Sequence, residues 1–288
     1  MKSHGVCITA AAVSDDKGSI MIKLIMSDMD GTLLDENSKL PSGFAEIAAE
    51  LKQKNILFAP CSGRQYYSLL NTFKDYANDF IFIAENGTLV KYNGEELEVN
   101  IVDRKLVLEV LTAMQNIAGV YSVFCGKKSG HILKNQNTTT FKAELNKYYT
   151  HADIVDNFNA VDDDPIKMSF YDENGKAAET IYPRLQKYKD RLQIVLSSAY
   201  WVDVMNLDIS KGVAVKKLQQ RLGIKPSECA AFGDYLNDYE LMQAVDYSFA
   251  MANAHEEIKR VAKFTTASNA EGGVLKGIRR ILNGEFDK

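Results

Sequence analysis

Ile22-Lys23-Leu24-Ile25-Met26-Ser27-Asp28 is an almost unbroken apolar run that ends in a carboxylate, and Asp30, Gly31 and Thr32 follow at once. Such a run reads as a strand buried on both faces, the habit of parallel sheets covered by helices. It commits this part of the chain to an α/β layer and sets two acids, two residues apart, just past the strand. Open α/β sheets place their ligands at that carboxyl edge. The chain turns there, so both carboxylates can face one pocket, one to attack and the other to handle a proton. Taken alone, an acidic turn built on Asp30-Gly31 accounts for these residues equally well.

The segments that follow repeat the alternation. Pro41 opens a helical pattern in which Phe44, Ile47, Ala48 and Leu51 share a face. Ile56–Ala59 is a short strand stopped by Pro60, and a helix from about Arg64 leads to a third strand at Phe80–Ala84. This is the pattern of a doubly wound, mainly parallel (Rossmann-like) core sheet.

Beyond residue 88 the rhythm breaks. Thr88–Val99 reads as a hairpin around Asn93-Gly94. Irregular alternation continues to about Met205, with strands at Ile166–Tyr171, Gln193–Leu196 and Trp201–Met205 and a helix over Ala177–Lys187. The α/β rhythm returns with a helix over Lys211–Leu222, a strand at Cys229–Phe232, a helix from near Asn237 and a strand at Tyr247–Ala250. The pattern predicts a core split between residues 21–90 and 206–288, with an inserted α+β domain at 91–205. Residues 1–20 precede it and read as a disordered leader or a misassigned start. The apolar run Val6–Val13 is short for a signal peptide, and Ser14-Asp15-Asp16-Lys17-Gly18 follows it.

Three further stretches carry chemistry. Gly233-Asp234-Tyr235-Leu236-Asn237-Asp238 clusters acids and an amide after a short apolar strand, which suits a hard cation such as Mg²⁺. Helix capping explains one of those acids but not three polar side chains. Ser62-Gly63 after the second strand offers a hydroxyl and an unobstructed N–H at a helix start, a ready anion site or a plain cap. Lys211 opens a helix at the end that the dipole reserves for anions, which points to a specific task or to a solvated surface residue.

The formal net charge of -4 and the lack of a basic stripe give no reason to expect a nucleic-acid partner. No stretch approaches the roughly 20 apolar residues that span a bilayer. Cys7, Cys61, Cys125 and Cys229 are scattered, as single thiols of a reducing cytoplasm are. His255-Glu256 does not extend to H-E-x-x-H, because position 259 is Lys. Asp162-Asp163-Asp164 reads as a solvated turn, and Asp172–Gly175 fails as a calcium loop.

Acid pair, hydroxyl, lysine and acid cluster thus come in order, each at a strand end or helix start of one α/β core. That ordered set resembles the haloacid dehalogenase superfamily, through D-x-D-G-T-L from Asp28 and G-D-x-x-N-D from Gly233. The long insertion after the third strand, with Glu85-Asn86-Gly87 leading to it, is similar to that of the Cof-type, subclass IIB phosphatases. The resemblance covers residues 21–288 and implies that the insertion is a cap domain. It implies Asp28 as nucleophile and metal ligand, and Asp30 as general acid/base whose carbonyl also ligates Mg²⁺. Asp234 would complete the metal ligands, with Asp238 acting on the metal directly or through water, while Met29, Ser62, Gly63, Lys211 and Asn237 would hold the phosphoryl group. Ser62 stands where many relatives have Thr, and the hydroxyl is kept. The expected substrate is a small phosphorylated metabolite, by default a sugar phosphate. A phosphomutase or phosphotransferase of the same family is the alternative. A phosphoryl-accepting regulatory domain fits less well, given the second acid and the long insertion.

Overall fold

The computed structural model describes residues 22–286, so the expected leader (1–20) and Met21 lie outside the described residues. Alternation of strand and helix produces β1 (Leu24–Ser27), α1 (Phe44–Gln53), β2 (Leu57–Pro60), α2 (Tyr66–Thr72) and β3 (Ile81–Ala84). A hairpin of β4 (Leu89–Tyr92) and β5 (Glu95–Val99) follows, its turn made by Asn93 and Gly94, both at positive φ.

The insertion contains α3 (Arg104–Ala113), β6 (Val120–Gly126), β7 (Gly130–Leu133), α4 (Thr139–Tyr148), β8 (Ala152–Val155) and β9 (Pro165–Asp172). It ends with α5 (Ala177–Thr180), α6 (Tyr182–Leu185), β10 (Leu192–Leu196) and β11 (Trp201–Asn206). The chain then returns through α7 (Lys211–Leu222), β12 (Cys229–Gly233), α8 (Tyr239–Gln243), β13 (Tyr247–Ala250), α9 (Glu256–Val261), β14 (Phe264–Thr265) and α10 (Gly273–Leu282).

The core sheet is parallel in the order β14-β13-β12-β1-β2. Pro60 does not stop β2 but belongs to it, opposite Ser27. The N–H groups of Leu57 and Cys61 point to β1, so the position lacking an N–H faces β3. That loss leaves β3 joined to β2 through a single bridge, Cys61 to Ile83.

The cap sheet runs β10-β11-β9-β6-β7-β8, antiparallel except between β7 and β8. Strand alternation splits its residues cleanly. Met168 and Phe170 of β9 join Val202 and Val204 of β11 in one apolar cluster with α3, α5 and α6, whereas Ile166, near the start of β9, packs in the core cluster. Lys167, Ser169 and Asp203 take the opposite face, toward the core. Pro183 breaks the expected single helix over 177–187 into α5, α6 and a following turn.

The expected 90/91 boundary cuts β4, whose Leu89 and Val90 pack in the core cluster together with Leu97 of β5. We propose instead that the insertion runs from about residue 100 to Asn206. The Asn206 amide donates to Asn100 Oδ1 at 2.5 Å and to the Ile101 carbonyl at 2.9 Å, so both crossings are tied side by side. The cap is latched down elsewhere. Gln65 N–H donates to the Tyr148 carbonyl at 3.1 Å, and the Gln65 side chain exchanges two 2.9 Å bonds with the backbone of His151.

Asp163 departs from the solvated turn expected of 162–164. Its neighbours are exposed, but its own carboxylate is buried and accepts from the N–H groups of Lys128 and Ser129.

Candidate active site

Asp28 follows β1, Ser62 follows β2 and Asp234 follows β12, so three expected site residues converge at the carboxyl edge of adjacent strands. From β1 the chain proceeds outward through β2, then returns to β12 on the other side. This reversal of strand order opens a crevice where α/β sheets receive ligands.

Lys211 lies wholly out of solvent at the floor of this crevice. Its ammonium donates to Asp28 Oδ1 at 2.5 Å and to Asp238 Oδ1 at 2.6 Å. Burial works to strip its proton, but Asp238 and Asp28 outweigh that cost and hold its pKa above the ordinary lysine range. The other Asp238 oxygen accepts from the N–H groups of Asp234 and Tyr235, at 3.0 and 3.3 Å. The α-helix expected from Asn237 begins at Tyr239, after a tight turn over Leu236–Asp238 that these bonds close. Gly31 adopts φ +78°, and a Cβ there would enter the Asp234 carboxylate, so the turn after Asp28 needs glycine for both reasons.

Asp28, Asp234 and Asp238 each offer an oxygen, and these oxygens lie within 4.8 Å of one another. Burial raises the Asp28 pKa well above the usual carboxylate range, with the crowding of Asp238 and Asp234 adding to it against the pull of Lys211. Burial and Asp238 push Asp234 up to about 7, although Thr32 donates to Asp234 Oδ1 at 2.8 Å. Three oxygen donors short of compensating charge fit a hard divalent cation.

Asp30 projects to the opposite wall. Arg64 grips both its oxygens, Nε to Oδ2 at 2.7 Å and Nη2 to Oδ1 at 2.5 Å, and the guanidinium lies over the Tyr148 ring of the cap. Ser62, Gly63 and Asn237 line the same cavity, of about 160 Å³, with Asp28, Asp30 and Asp234. The Met29 side chain is in the core cluster, so only its backbone is available to a ligand.

The cap roofs the cavity with Tyr148, Trp201, Ser197, Ser198, Lys167 and Asp203. Lys167 is pinned between Glu85 Oε2 at 2.6 Å and Asp203 Oδ1 at 3.3 Å. Tyr200, next to Trp201 in the chain, is exposed and stacks on Tyr171. Sequence reasoning gave no role to Arg64, Thr32, Lys167 or Asp203. The last two had a readable signal: each is a lone charge inside an apolar strand, and a buried charge demands partners.

A crevice of clustered carboxylates and a buried lysine, at the reversal of a doubly wound sheet and roofed by an inserted domain, marks the chain as a capped enzyme with a Rossmann-like core. The chain belongs to the haloacid dehalogenase-like hydrolases, whose family model matches residues 25–278. It is 30% identical over 275 residues to the 5-amino-6-(5-phospho-D-ribitylamino)uracil phosphatase YbjI of Escherichia coli, covering 93% of this chain and 99% of that one. Phosphoglycolate phosphatase 1 of Saccharolobus solfataricus is 28% identical, with 93% and 99% covered. Among solved structures, SMU.1108c from Streptococcus mutans superposes with a TM-score of 0.83 at 25% identity, covering 91% and 99%. At the level of reaction class the chain is a phosphatase of this family. No helix among the described residues is long and apolar enough to cross a membrane.

Proposed function

We propose that the protein is a Mg²⁺-dependent phosphatase of small sugar- or polyol-like phosphate monoesters, acting through a phosphoaspartyl intermediate on Asp28. The observation that carries this reading is the placement of Asp28 between the ammonium of Lys211 and the carboxylates of Asp234 and Asp238, beside Ser62 and Asn237. Asp28, Asp234, Asp238 and the Asp30 carbonyl would hold Mg²⁺, which when bound supplies positive charge that offsets the carboxylates and the phosphoryl group.

Phosphate monoesters react very slowly in water, and catalysis of their transfer rests on positioning and charge neutralisation. Lys211 orients the Asp28 carboxylate from below. The phosphoryl oxygens are received by the Ser62 hydroxyl, the Gly63 N–H and the Asn237 amide. Attack by Asp28 breaks the phosphorus–ester oxygen bond while protonated Asp30 gives its proton to the departing oxygen. Asp30 then takes a proton from the water that attacks phosphorus and frees Asp28, so one difficult displacement becomes two. The Arg64 fork holds Asp30 with both oxygens accepting, the form that takes a proton from water. Donation to the leaving alkoxide requires one of those bonds to be given up.

The cavity wall argues for an uncharged leaving group. Among the described residues lining it, both cations, Arg64 and Lys167, are already gripped by carboxylates, and Tyr148 and Trp201 add flat apolar surface. A phosphorylated ribityl chain, as in the substrate naming the Escherichia coli relative, meets that description better than phosphoglycolate, whose leaving group bears a carboxylate.

The test is phosphate release from a panel including ribitol 5-phosphate, hexose phosphates and 2-phosphoglycolate, with and without Mg²⁺, beside Asp28→Asn. Metal-dependent release that the substitution abolishes is expected. A rearranged phosphosugar with no free phosphate would instead identify a phosphomutase.

A further inference from the structure

The cap sends two buried side chains past the cavity into the core, Lys167 and Asp203, only 1% and 4% exposed. Lys167 Nζ donates to the Gly63 carbonyl at 2.8 Å. That carbonyl belongs to the peptide group whose N–H, on Arg64, donates to Ser62 Oγ at 3.2 Å. With that lone pair occupied, the Ser62 hydroxyl keeps its own proton for a phosphoryl oxygen.

Asp203 acts on the other flank. Its Oδ2 accepts from Asn86 Nδ2 at 2.6 Å, and because a carboxylate only accepts, the Asn86 amide is fixed with its oxygen turned away. That oxygen accepts from Asn237 Nδ2 at 3.2 Å, leaving the second Asn237 N–H for the phosphoryl group. Ser169 and Ser197 donate to the two Asp203 oxygens at 2.5 and 2.6 Å, so the carboxylate is held from the cap side as well. Burial opposes the Lys167 charge, yet Asp203 and Glu85 keep its pKa above the ordinary range. Both Asp203 oxygens are hydrogen-bonded and the Lys167 ammonium is paired, which rigidifies what they touch, while Glu85 Oε1 is buried without a hydrogen-bond partner.

We propose that Lys167 and Asp203 are positioning residues for phosphoryl transfer: through Gly63 and Asn86 they set the Ser62 hydroxyl and the Asn237 amide. The phosphoryl-binding end of the site is then complete only with the cap closed. This rests on the phosphatase reading above. It makes recognition of the leaving group by the cap a condition for binding the phosphoryl group correctly, so that closure selects substrates through turnover as well as affinity.

Inorganic phosphate is the probe, because it has no leaving group. Its inhibition constant, and kcat on p-nitrophenyl phosphate, are measured in Asn86→Gly, Asp203→Asn and Lys167→Met. Asn86 adopts φ +56°, which glycine tolerates, so that variant removes the amide with little backbone cost. Phosphate inhibition about 10-fold weaker and kcat lower by on the order of 10²-fold are expected. The Asn86→Gly/Asp203→Asn double variant should be no worse than the poorer single, since both cut one chain. Unchanged phosphate inhibition in Asn86→Gly and Asp203→Asn overturns the proposal, as does an altered ranking of leaving groups with phosphate inhibition intact. Should Lys167→Met fail to fold, having stranded two buried carboxylates, the other two variants decide. A wild-type protein that hydrolyses no ester is a failure of the phosphatase reading, visible before any variant is made.

Discussion

The two ends of the cavity are built in opposite ways. The phosphoryl end is made by loops that leave parallel strands at a single edge, so its side chains come in short contiguous runs such as Asp28-x-Asp30 and Asp234-x-x-Asn237-Asp238. The leaving-group end is made by the middle of an antiparallel sheet, where only every second residue faces the cavity. The loop edge collects charge: three carboxylates around one ammonium. The sheet face carries its charges already paired and adds aromatic surface. Under the proposed function, one end would serve a reaction common to all phosphate esters, and the other would choose among them.

Substitutions that break this contrast have graded effects. The largest is expected at Asp28: Asp28→Asn should lower kcat by at least about 10⁴-fold for every ester, measured as phosphate release by purified, folded protein. Near-normal turnover would sink the nucleophile assignment. Asp30→Asn should cost about 10²–10⁴-fold in kcat while inorganic phosphate still inhibits at its wild-type concentration. A parallel loss of phosphate binding would show that Asp30 holds the anion and does not serve proton transfer. At the roof, Trp201→Phe keeps an aromatic ring in the packing with Tyr148 and Tyr171 but reshapes the surface. It should alter KM for polyol phosphates by about 3–10-fold, a methylene-scale discrimination, with phosphate inhibition untouched. Equal effects on all esters would erase the proposed division of labour.

The smallest effect concerns acid–base balance at the loop edge. The folded protein raises Asp234 from the ordinary aspartate value of about 4 to about 7. It therefore holds a proton that the unfolded chain releases. Without metal, stability should fall as pH rises from about 4 to about 7, the reverse of a salt-bridged carboxylate. Mg²⁺ competes with that proton, so its stabilisation should be larger at pH 8 than at pH 5. Thermal melts at both pH values, with and without Mg²⁺, give the comparison, and Asp234→Asn should flatten the metal-free slope. Equal magnesium shifts at the two pH values would count against Asp234 as a ligand.

The contrast also explains what could be read in advance. The α/β core and its four chemical signals were legible because a parallel strand writes its core as an apolar run and its site residue directly after it. The strand at Tyr247–Ala250 fell on its observed bounds for the same reason, and the helix over Lys211–Leu222 did so between the Ser210 cap and Gly223, which ends it at positive φ. The cap was harder. Lys167 and Asp203 are far apart in sequence and meet only through the β9–β11 pairing, and Arg64 shows its purpose only when Asp30 is brought beside it. Asp163 was misjudged because its partners, the N–H groups of a neighbouring turn, are anonymous in sequence. The boundary expected at 90/91 cuts β4 because β4 and β5 continue the core's packing after the α/β rhythm has ended.

The pair of crossings stapled by Asn206 bears on how such a protein assembles and changes. Loop-closure entropy depends on where a loop's ends sit, and grows only logarithmically with length. Because the chain leaves and re-enters the core at neighbouring points, the core sees a long insertion almost as it would see a short surface loop. The cap is thereby a module on a two-stranded stalk, one that could be exchanged for a roof of different shape while the catalytic floor beneath it stayed folded.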